Sequence, residues 1–340
     1  MTRIIRKIAI IGVIFLQGLY VYSQNNSGDN KTIDPRIRVI IDNDFGGDPD
    51  GLFQLAHHIL SPSVEIKGII GSRNYEGGFY GSPCTATYAC KQVNELLSIM
   101  QLIGKFPVYE GGNSSLKDVN SPVVSEGAKA IVREAMREDT KMPLYVVCGA
   151  GLTSVASAYL MEPRIAKKII LVWIGGGEYR GFSITPLADN NPEYNLGIDI
   201  KACQVIFNAS DISIWQVPRD TYRQALYSYS ELVYKIKPTG IVGKFLVEKL
   251  EELMKKAKGS LGESYVLGDS PLVLLTALQA PWSAEPSSSK YIVKSTPKVN
   301  NTGLYEETTG NRQIRVYTNL DTRLMFDDLA AKLALFKMKN

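Results

Sequence analysis

The sequence predicts an α/β protein built on an open, mostly parallel Rossmann-like sheet with helices on both faces. From Ile37 onward, short apolar runs rich in Val and Ile alternate with amphipathic stretches of ten or more residues. Near-continuous apolar strands separated by helices are the pattern of a parallel sheet covered on both sides. Hydrophobic residues make up 45% of the 340, against 21% charged, which is material for a large core.

Taken in order, the chain opens with Arg3, Arg6 and Lys7 ahead of the apolar run Ile8 to Leu16, and Val21-Tyr22-Ser23 precedes a cut at Gln24. Residues 1–23 therefore read as a signal peptide and 24–32 as a polar linker, so the mature protein is expected to be exported, periplasmic or secreted. The apolar run is short of the roughly 20 residues a membrane span requires, although a non-cleaved anchor is the alternative reading. No cysteine sits at the cut, so lipid anchoring is not supported.

Residues 33–340 read as a single domain. Its strand-like runs are Ile37 to Ile41, Val64 to Ile70, Phe106 to Tyr109, Leu144 to Val147, Ile169 to Ile174 and Ile212 to Val217. After Tyr222 the pattern is mainly helical to Lys258, with a helix near Pro271 to Leu278. Two more strand-like runs, Lys290 to Val293 and Ile314 to Tyr317, precede a last helix from Asp327.

Composition excludes several functions. A formal charge of +4, with no basic run beyond Lys255-Lys256, is not the footprint of a nucleic-acid polymer binder. Four cysteines are too few for a disulfide framework in an exported chain; Cys148 and Cys203 read as buried small hydrophobes. Cys84 and Cys90 would pair only if the segment between them were not helical. The two histidines, His57 and His58, are adjacent, which leaves little room for His-rich zinc sites or for Ser/His chemistry elsewhere. Leu52, Phe53, Leu55 and Ile59 mark a buried stripe on their helix, which predicts one imidazole at the core edge and one exposed.

In an open parallel sheet, ligands bind outside the carboxyl ends of the strands. The first such end reads Asp42-Asn43-Asp44-Phe45-Gly46-Gly47-Asp48-Pro49-Asp50, four carboxylates in nine residues. Strand alternation puts Asp42 and Asp44 on one face, and the glycine turn returns Asp48 and Asp50 toward the same space. Like charges this close call for a cation or hydrogen-bond donors, and hard oxygen ligands favour Ca²⁺ with Mg²⁺ behind it. An EF-hand is excluded, because its twelfth position would be Phe53 and the loop follows a strand. Helix capping explains one aspartate, not four. Gly149-x-Gly151-x-x-Ser154 looks like a degraded dinucleotide fingerprint, but the next strand ends on glycine where that fold wants an acid.

The carboxylate loop resembles the D-x-D-P-G-x-D-D signature of the inosine-uridine type nucleoside hydrolases, with Phe45 for the proline and Pro49 inserted between the last two acids. Further segments resemble that family in order along nearly the whole mature chain. Gly71-Ser72-Arg73-Asn74 carries a ribose-contacting asparagine, Pro107-Val108-Tyr109-Glu110-Gly111 is similar to its third strand, and Cys148 to Ser154 to its L-G-P-L-T-N segment. Trp173-Ile174-Gly175-Gly176-Gly177 resembles its M-G-G turn, Pro192-Glu193-Tyr194-Asn195 its A-E-F-N, and Gly268-Asp269-Ser270-Pro271 its H-D-P.

The resemblance implies the nucleoside hydrolase fold, with calcium-dependent hydrolysis of the N-glycosidic bond of a small nucleoside to free base and ribose. It implies Ca²⁺ on Asp44, Asp50, Asp269 and the Thr153 carbonyl, with Asp44 also the general base. Asp48, Asn74, Glu193 and Asn195 would hold the ribose hydroxyls, Asp42 would support or touch the site, and the assembly would be a homodimer or homotetramer. Gly268 stands where many members have the histidine that protonates the leaving base. Leaving-group help would then fall to aromatic residues: Tyr75, Phe79, Tyr80, Trp215, Tyr222 or Tyr265. Two alternatives stand beside this reading: hydrolysis of another glycoside or modified riboside, and a calcium-stabilised sugar-binding protein without catalysis.

Overall fold

A computed structural model describes residues 33–181, 191–258, 261–279, 289–310 and 312–338. The leader at 1–23, the linker at 24–32 and the centre of the loop between Gly175 and Asn191 lie outside them. Among the described residues no helix is long and apolar enough to cross a membrane.

The strands are β1 (Ile37–Asn43), β2 (Val64–Gly71), β3 (Val108–Glu110), β4 (Leu144–Cys148), β5 (Ile169–Ile174) and β6 (Ser213–Val217). They are joined by α1 (Asp50–Ile59), α2 (Ala86–Ile99), α3 (Glu126–Ala135), α4 (Thr153–Met161), α5 (Tyr194–Ile198) and α6 (Ile200–Gln204). Then come α7 (Arg219–Tyr222), β7 (Leu226–Ser228), α8 (Tyr229–Glu231), α9 (Ile241–Lys256), β8 (Ser264–Val266) and α10 (Pro271–Val273), which runs on as a π turn over Leu274–Leu278. The chain closes with β9 (Ser289–Ser295), β10 (Lys298–Val299), β11 (Tyr305–Glu306), β12 (Gln313–Leu320) and α11 (Thr322–Lys337).

Eight strands form the main sheet in the order β3-β2-β1-β4-β5-β6-β12-β9. Every pairing in it is parallel except β12 with β9, so the mostly parallel open sheet is the one expected. Strand order reverses between β1 and β4, where Asp42 sits opposite Cys148. This switch point opens a crevice at the strands' carboxyl ends.

Period-two alternation explains how the sheet is covered. Ile37, Val39 and Ile41 of β1 join the core under α1, α2, α9 and α11, whereas Ile40 joins the core under α3, α4 and α6. Burying each such side chain contributes about 1.5–3 kcal/mol. Carried one turn further, the alternation sends Asn43 toward α1 and Asp42 toward α4, so the two polar residues ending β1 serve opposite sides.

Differences from the expected elements lie mainly in the second half. β7 and β8 form a small antiparallel pair within the stretch expected to be helical, and β10 pairs with β11. Each has only two or three residues, too few to register as a periodic pattern. The last helix starts at Thr322, because Asp321 caps it by accepting from the Leu324 N–H at 2.9 Å. The four cysteines are free, with Cys148 and Cys203 buried, and Cys90 lies on α2, which prevents pairing with Cys84.

The expectation of one exposed histidine is corrected: His57 and His58 are both buried. Helix α10 and its π turn lie against one side of α1, and α11 lies against another, so the face expected to be open is covered. His57 Nε2 meets Asp328 Oδ2 at 2.7 Å, and burial outweighs that carboxylate to push the imidazole down to about 4. An unfolded histidine titrates near 6.5. Between pH 6.5 and 4 the unfolded chain takes up a proton that the folded one does not, so stability is present above this window and lost as pH falls through it. The loss from His57 should approach about 2–3 kcal/mol at the lower end. Urea unfolding at pH 7 and pH 4.5 tests this: His57→Gln should lose less stability over that drop than the wild type, and equal losses would refute it.

Candidate active site

The crevice at the switch point is an open cleft with about 620 Å³ of empty space, including solvent at its mouth. Asp44, Asp48, Asp50, Gly149, Ile174, Glu193, Tyr194, Asn195, Tyr222, Gly268, Asp269 and Phe79 line it. Among the described residues, no lysine or arginine does. One wall is thus carboxylate, contributed by the β1 loop, the start of α1 and the turn before α10.

Asp48, Asp50 and Asp269 are held by donors that carry no formal charge. Asp48 accepts from the Asp50 N–H at 3.2 Å and from the Tyr265 hydroxyl at 2.7 Å. Asp50, first residue of α1, accepts from the Asp269 N–H at 3.1 Å, and Asp269 Oδ2 accepts from Asn43 Nδ2 at 2.8 Å. Burial and mutual repulsion both act on the group. Burial first, then Asp269 and Asp48, hold the Asp44 carboxyl well above its ordinary range. Asp50 is raised in the same way by burial, Asp269 and Asp48, while Asp269 rises to about 7 and Asp48 to about 6, mainly through burial.

Glu193 and Asn195 form the opposite wall. Glu193 caps α5: its Oε2 accepts from the Leu196 N–H at 3.1 Å and the Gly176 N–H at 2.7 Å, and its Oε1 accepts from the Tyr222 hydroxyl at 2.9 Å. Asn195 Nδ2 donates to the carbonyls of Gly149 at 3.1 Å and Ile174 at 2.9 Å, tying the ends of β4 and β5 together. Both its donors are used, so what it offers the cleft is the Oδ1 acceptor.

Asn74 does not line the cleft but adjoins it. Its side chain is buried with neither polar atom bonded, and a Cβ on Gly47 would fall 2.6 Å from its Nδ2 and 3.3 Å from Asp44 Oδ2. A buried amide left unpaired costs about 1–3 kcal/mol, so this one is a ready partner for a polar ligand.

Three of the residues singled out in the sequence lie outside the cleft lining. Thr153 is not in the cleft wall: it is the first residue of α4, where its hydroxyl donates to Asp199 at 2.8 Å and its carbonyl points along the helix. Asp42 does not share a face with Asp44. It is fully buried, accepts from the Ser72 hydroxyl toward α4, and burial raises it to about 7. Trp215 lies away from the cleft, packed on Tyr145 at 5.3 Å with the Arg315 guanidinium 4.1 Å from its ring.

The other aromatic candidates divide by role. Phe79 and Tyr222 line the cleft, Tyr265 reaches it only through Asp48, and Tyr75 and Tyr80 are about half exposed near its mouth. Tyr194 was not among the candidates yet lines the cleft, 5.9 Å from Phe79 and 5.8 Å from Tyr75. Its place between Glu193 and Asn195 was the available signal.

Among the described residues, no three His, Cys, Asp or Glu side chains converge closely enough to hold an ion as they stand. The donor chemistry nevertheless fits a hard cation. Asp44, Asp50 and Asp269 are buried side by side, and Asp50 and Asp269 each tether one oxygen to a neighbour while keeping the other.

A model of the family described as inosine-uridine preferring nucleoside hydrolase matches residues 39–327. Two similar curated proteins carry that name: one from Leishmania major, 25% identical over 204 residues, and one from Crithidia fasciculata, 26% identical over 195. These alignments cover 56% and 53% of this chain and 62% and 58% of the relatives, so the chain spans about six-tenths of the length of the curated relatives it matches. Among solved structures, a plant nucleoside hydrolase superposes with a TM-score of 0.68 at 18% identity, over 88% of this chain and 99% of the other. A purine-preferring ribonucleoside hydrolase from Gardnerella vaginalis gives 0.67 at 16%, again over 88% and 99%. At these identities the structural likeness speaks for the fold.

Gly149 tests how tightly the site is packed. An added Cβ would lie 2.6 Å from both Asn43 Nδ2 and Asp269 Oδ1, so Gly149→Ala must displace one of them. Thermal or urea denaturation should show a loss of about 1–3 kcal/mol. Unchanged stability would contradict the packing described.

Proposed function

The chain belongs to the inosine-uridine preferring nucleoside hydrolase family, and from that premise we propose that it hydrolyses the N-glycosidic bond of ribonucleosides, releasing free base and ribose. The observation that carries this reading is the cleft itself: carboxylates and a carboxamide oxygen on its walls, aromatic rings beside them and, among the described residues, no basic side chain. Cleavage of the bond develops positive charge on the sugar ring, and such a basin is its electrostatic complement.

The residues divide the work by position. Asp44, which lines the cleft at the end of β1, takes the proton of the water that attacks C1′ as the bond to the base nitrogen breaks. Asp48, Glu193 and Asn195 present acceptors to the ribose hydroxyls from opposite walls, with Asn74 beside them. Phe79 and Tyr194 offer faces on which the departing base can stack. Tyr222 and Tyr265 already donate to Glu193 and Asp48, so their hydroxyls orient acceptors and are not the acid that protonates the base.

Asp44, Asp50 and Asp269 are the residues that would hold a hard divalent cation, Ca²⁺ in our reading. When bound it supplies a Lewis acid that polarises the attacking water and offsets the clustered negative charge. The apolar leader after Arg3, Arg6 and Lys7 supports action outside the cytoplasm, on scavenged nucleosides.

The test is a panel of purine and pyrimidine nucleosides incubated with the mature protein and Ca²⁺, with free base followed by chromatography. Base should be released from at least one nucleoside, Asp44→Ala should lower kcat about 10²–10⁴-fold, and chelator should suppress turnover. Ribonucleoside binding without base release across the panel would leave a sugar-binding protein in place of the enzyme.

A further inference from the structure

Neither histidine lies in the cleft, yet the two are not equivalent. His57 Nδ1 has no partner, and its Nε2 ends on the surface-side pair of Asp328 and Lys332. His58 is fully buried and bonded at both ring nitrogens, to Gln54 on one side and Thr276 on the other. Gln54 in turn meets Asn43, and Asn43 meets Asp269. We infer that His58 is a positioning residue of the active site: through Gln54 and Asn43 it sets the orientation of the Asp269 carboxylate and of the main chain at Asp44.

The direction of every bond in this chain follows from one fixed end. Thr276 has a single hydroxyl proton, which it donates to the Leu272 carbonyl one helical turn back, at 2.5 Å. Its oxygen therefore meets His58 Nε2, at 3.0 Å, as an acceptor, and Nε2 must carry the ring hydrogen. Burial, and His57 and Lys332 nearby, hold this imidazole neutral, so Nδ1 carries a lone pair. That lone pair accepts from the Gln54 amide nitrogen, which turns Gln54 Oε1 toward Asn43 Nδ2 at 3.3 Å. The second Asn43 Nδ2 hydrogen goes to Asp269 Oδ2 at 2.8 Å, and Asn43 Oδ1 accepts from the Asp44 N–H at 2.8 Å.

An amide oxygen and nitrogen differ little in shape, so packing alone does not choose between the two orientations of Gln54 or Asn43. The wrong one would place Asn43 Oδ1 against the Asp269 carboxylate and leave the Asp44 N–H without an acceptor. Asn43, Gln54 and His58 have no exposed surface, so solvent does not repair such an error, and each buried unpaired group costs about 1–3 kcal/mol. Backbone packing supports the arrangement: a Cβ on Gly51 or Gly149 would approach Asn43 Nδ2 to 3.0 or 2.6 Å. The network touches the Asp269 carboxylate, proposed to hold the metal, and the main chain of Asp44, proposed as the base, so its loss should be felt in the cleft and not only in stability.

The kinetic part of this inference rests on the proposed hydrolase activity; the rest does not, and the experiment separates them. The chain has only two histidines, so ¹⁵N spectra of the untagged protein contain two imidazoles, and His57→Gln assigns them. His58 should be the neutral Nε2–H tautomer with Nδ1 accepting a hydrogen bond; an Nδ1–H tautomer overturns the inference even if no variant folds. Gln54→Leu and His58→Leu should each weaken Ca²⁺ binding, measured against a chelating dye, and lower kcat/KM by about 10–100-fold at temperatures well below their melting points. Combined, they should cost no more than about twofold beyond the worse single change, because one chain is being cut twice. Lower melting temperature with Ca²⁺ affinity and kcat/KM unchanged, or fully additive losses, refutes the positioning role. A wild type without base release strikes the hydrolase reading alone, leaving the tautomer and the Ca²⁺ titration to decide this one.

Discussion

Burying Asp44, Asp50 and Asp269 beside the partly buried Asp48, with no basic side chain among the described residues of the cleft they line, is the constraint on which the rest of this structure depends. Two unit charges 4 Å apart repel by about 4 kcal/mol at an effective dielectric constant near 20. Among the described residues, no lysine or arginine of the cleft cancels that repulsion, and a basic group there would also cancel the field that the proposed cationic sugar would need. The protein spreads the charge over neutral donors: main-chain N–H groups at Asp50 and Asp269, the Asn43 amide and the Tyr265 hydroxyl. What remains is an oxygen-rich wall poised for positive charge.

The sheet topology makes this arrangement attainable. At the switch between β1 and β4 the helices leave in opposite directions, so the crevice has room for side chains from the first strand end, from the turn before α10 and from the loop before α5. Asp50 begins α1 and Glu193 caps α5, and each helix start presents N–H groups that favour a carboxylate. Asn195 then joins the ends of β4 and β5, so the two walls share a common base in the backbone.

On the proposed reading, the acceptors for a sugar are all present in or beside the cleft, while its base side differs from the family pattern. Gly268 offers no imidazole, and both histidines are withdrawn into the packing of α1, where one ends near the surface and the other continues toward Asp269. Tyrosines take up the supporting work, Tyr222 on Glu193 and Tyr265 on Asp48. On that reading, base recognition would rest on the ring faces of Phe79 and Tyr194, with exposed Tyr75 and Tyr80 at the mouth.

By itself, the sequence determined what depends on local periodicity and on clustering along the chain. Strands β1 to β6, the parallel sheet, and the crowding of Asp44, Asp48 and Asp50 are of this kind, because period-two burial and a short glycine turn act over a few residues. The remote partners Glu193, Asn195 and Asp269 were legible only because they follow strand ends in a recognisable order. The tertiary structure decided the rest. It sent Asp42 to the far side of the sheet, drew Thr153 into a helix, packed Trp215 under Arg315, brought Tyr194 into the cleft and covered both faces of the histidine helix. Each outcome turns on which elements lie against a side chain once distant parts of the chain have folded, from 30 residues away for Ser72 on Asp42 to 226 for Asn43 on Asp269. No local pattern encodes that contact; it exists only once the helices are in place.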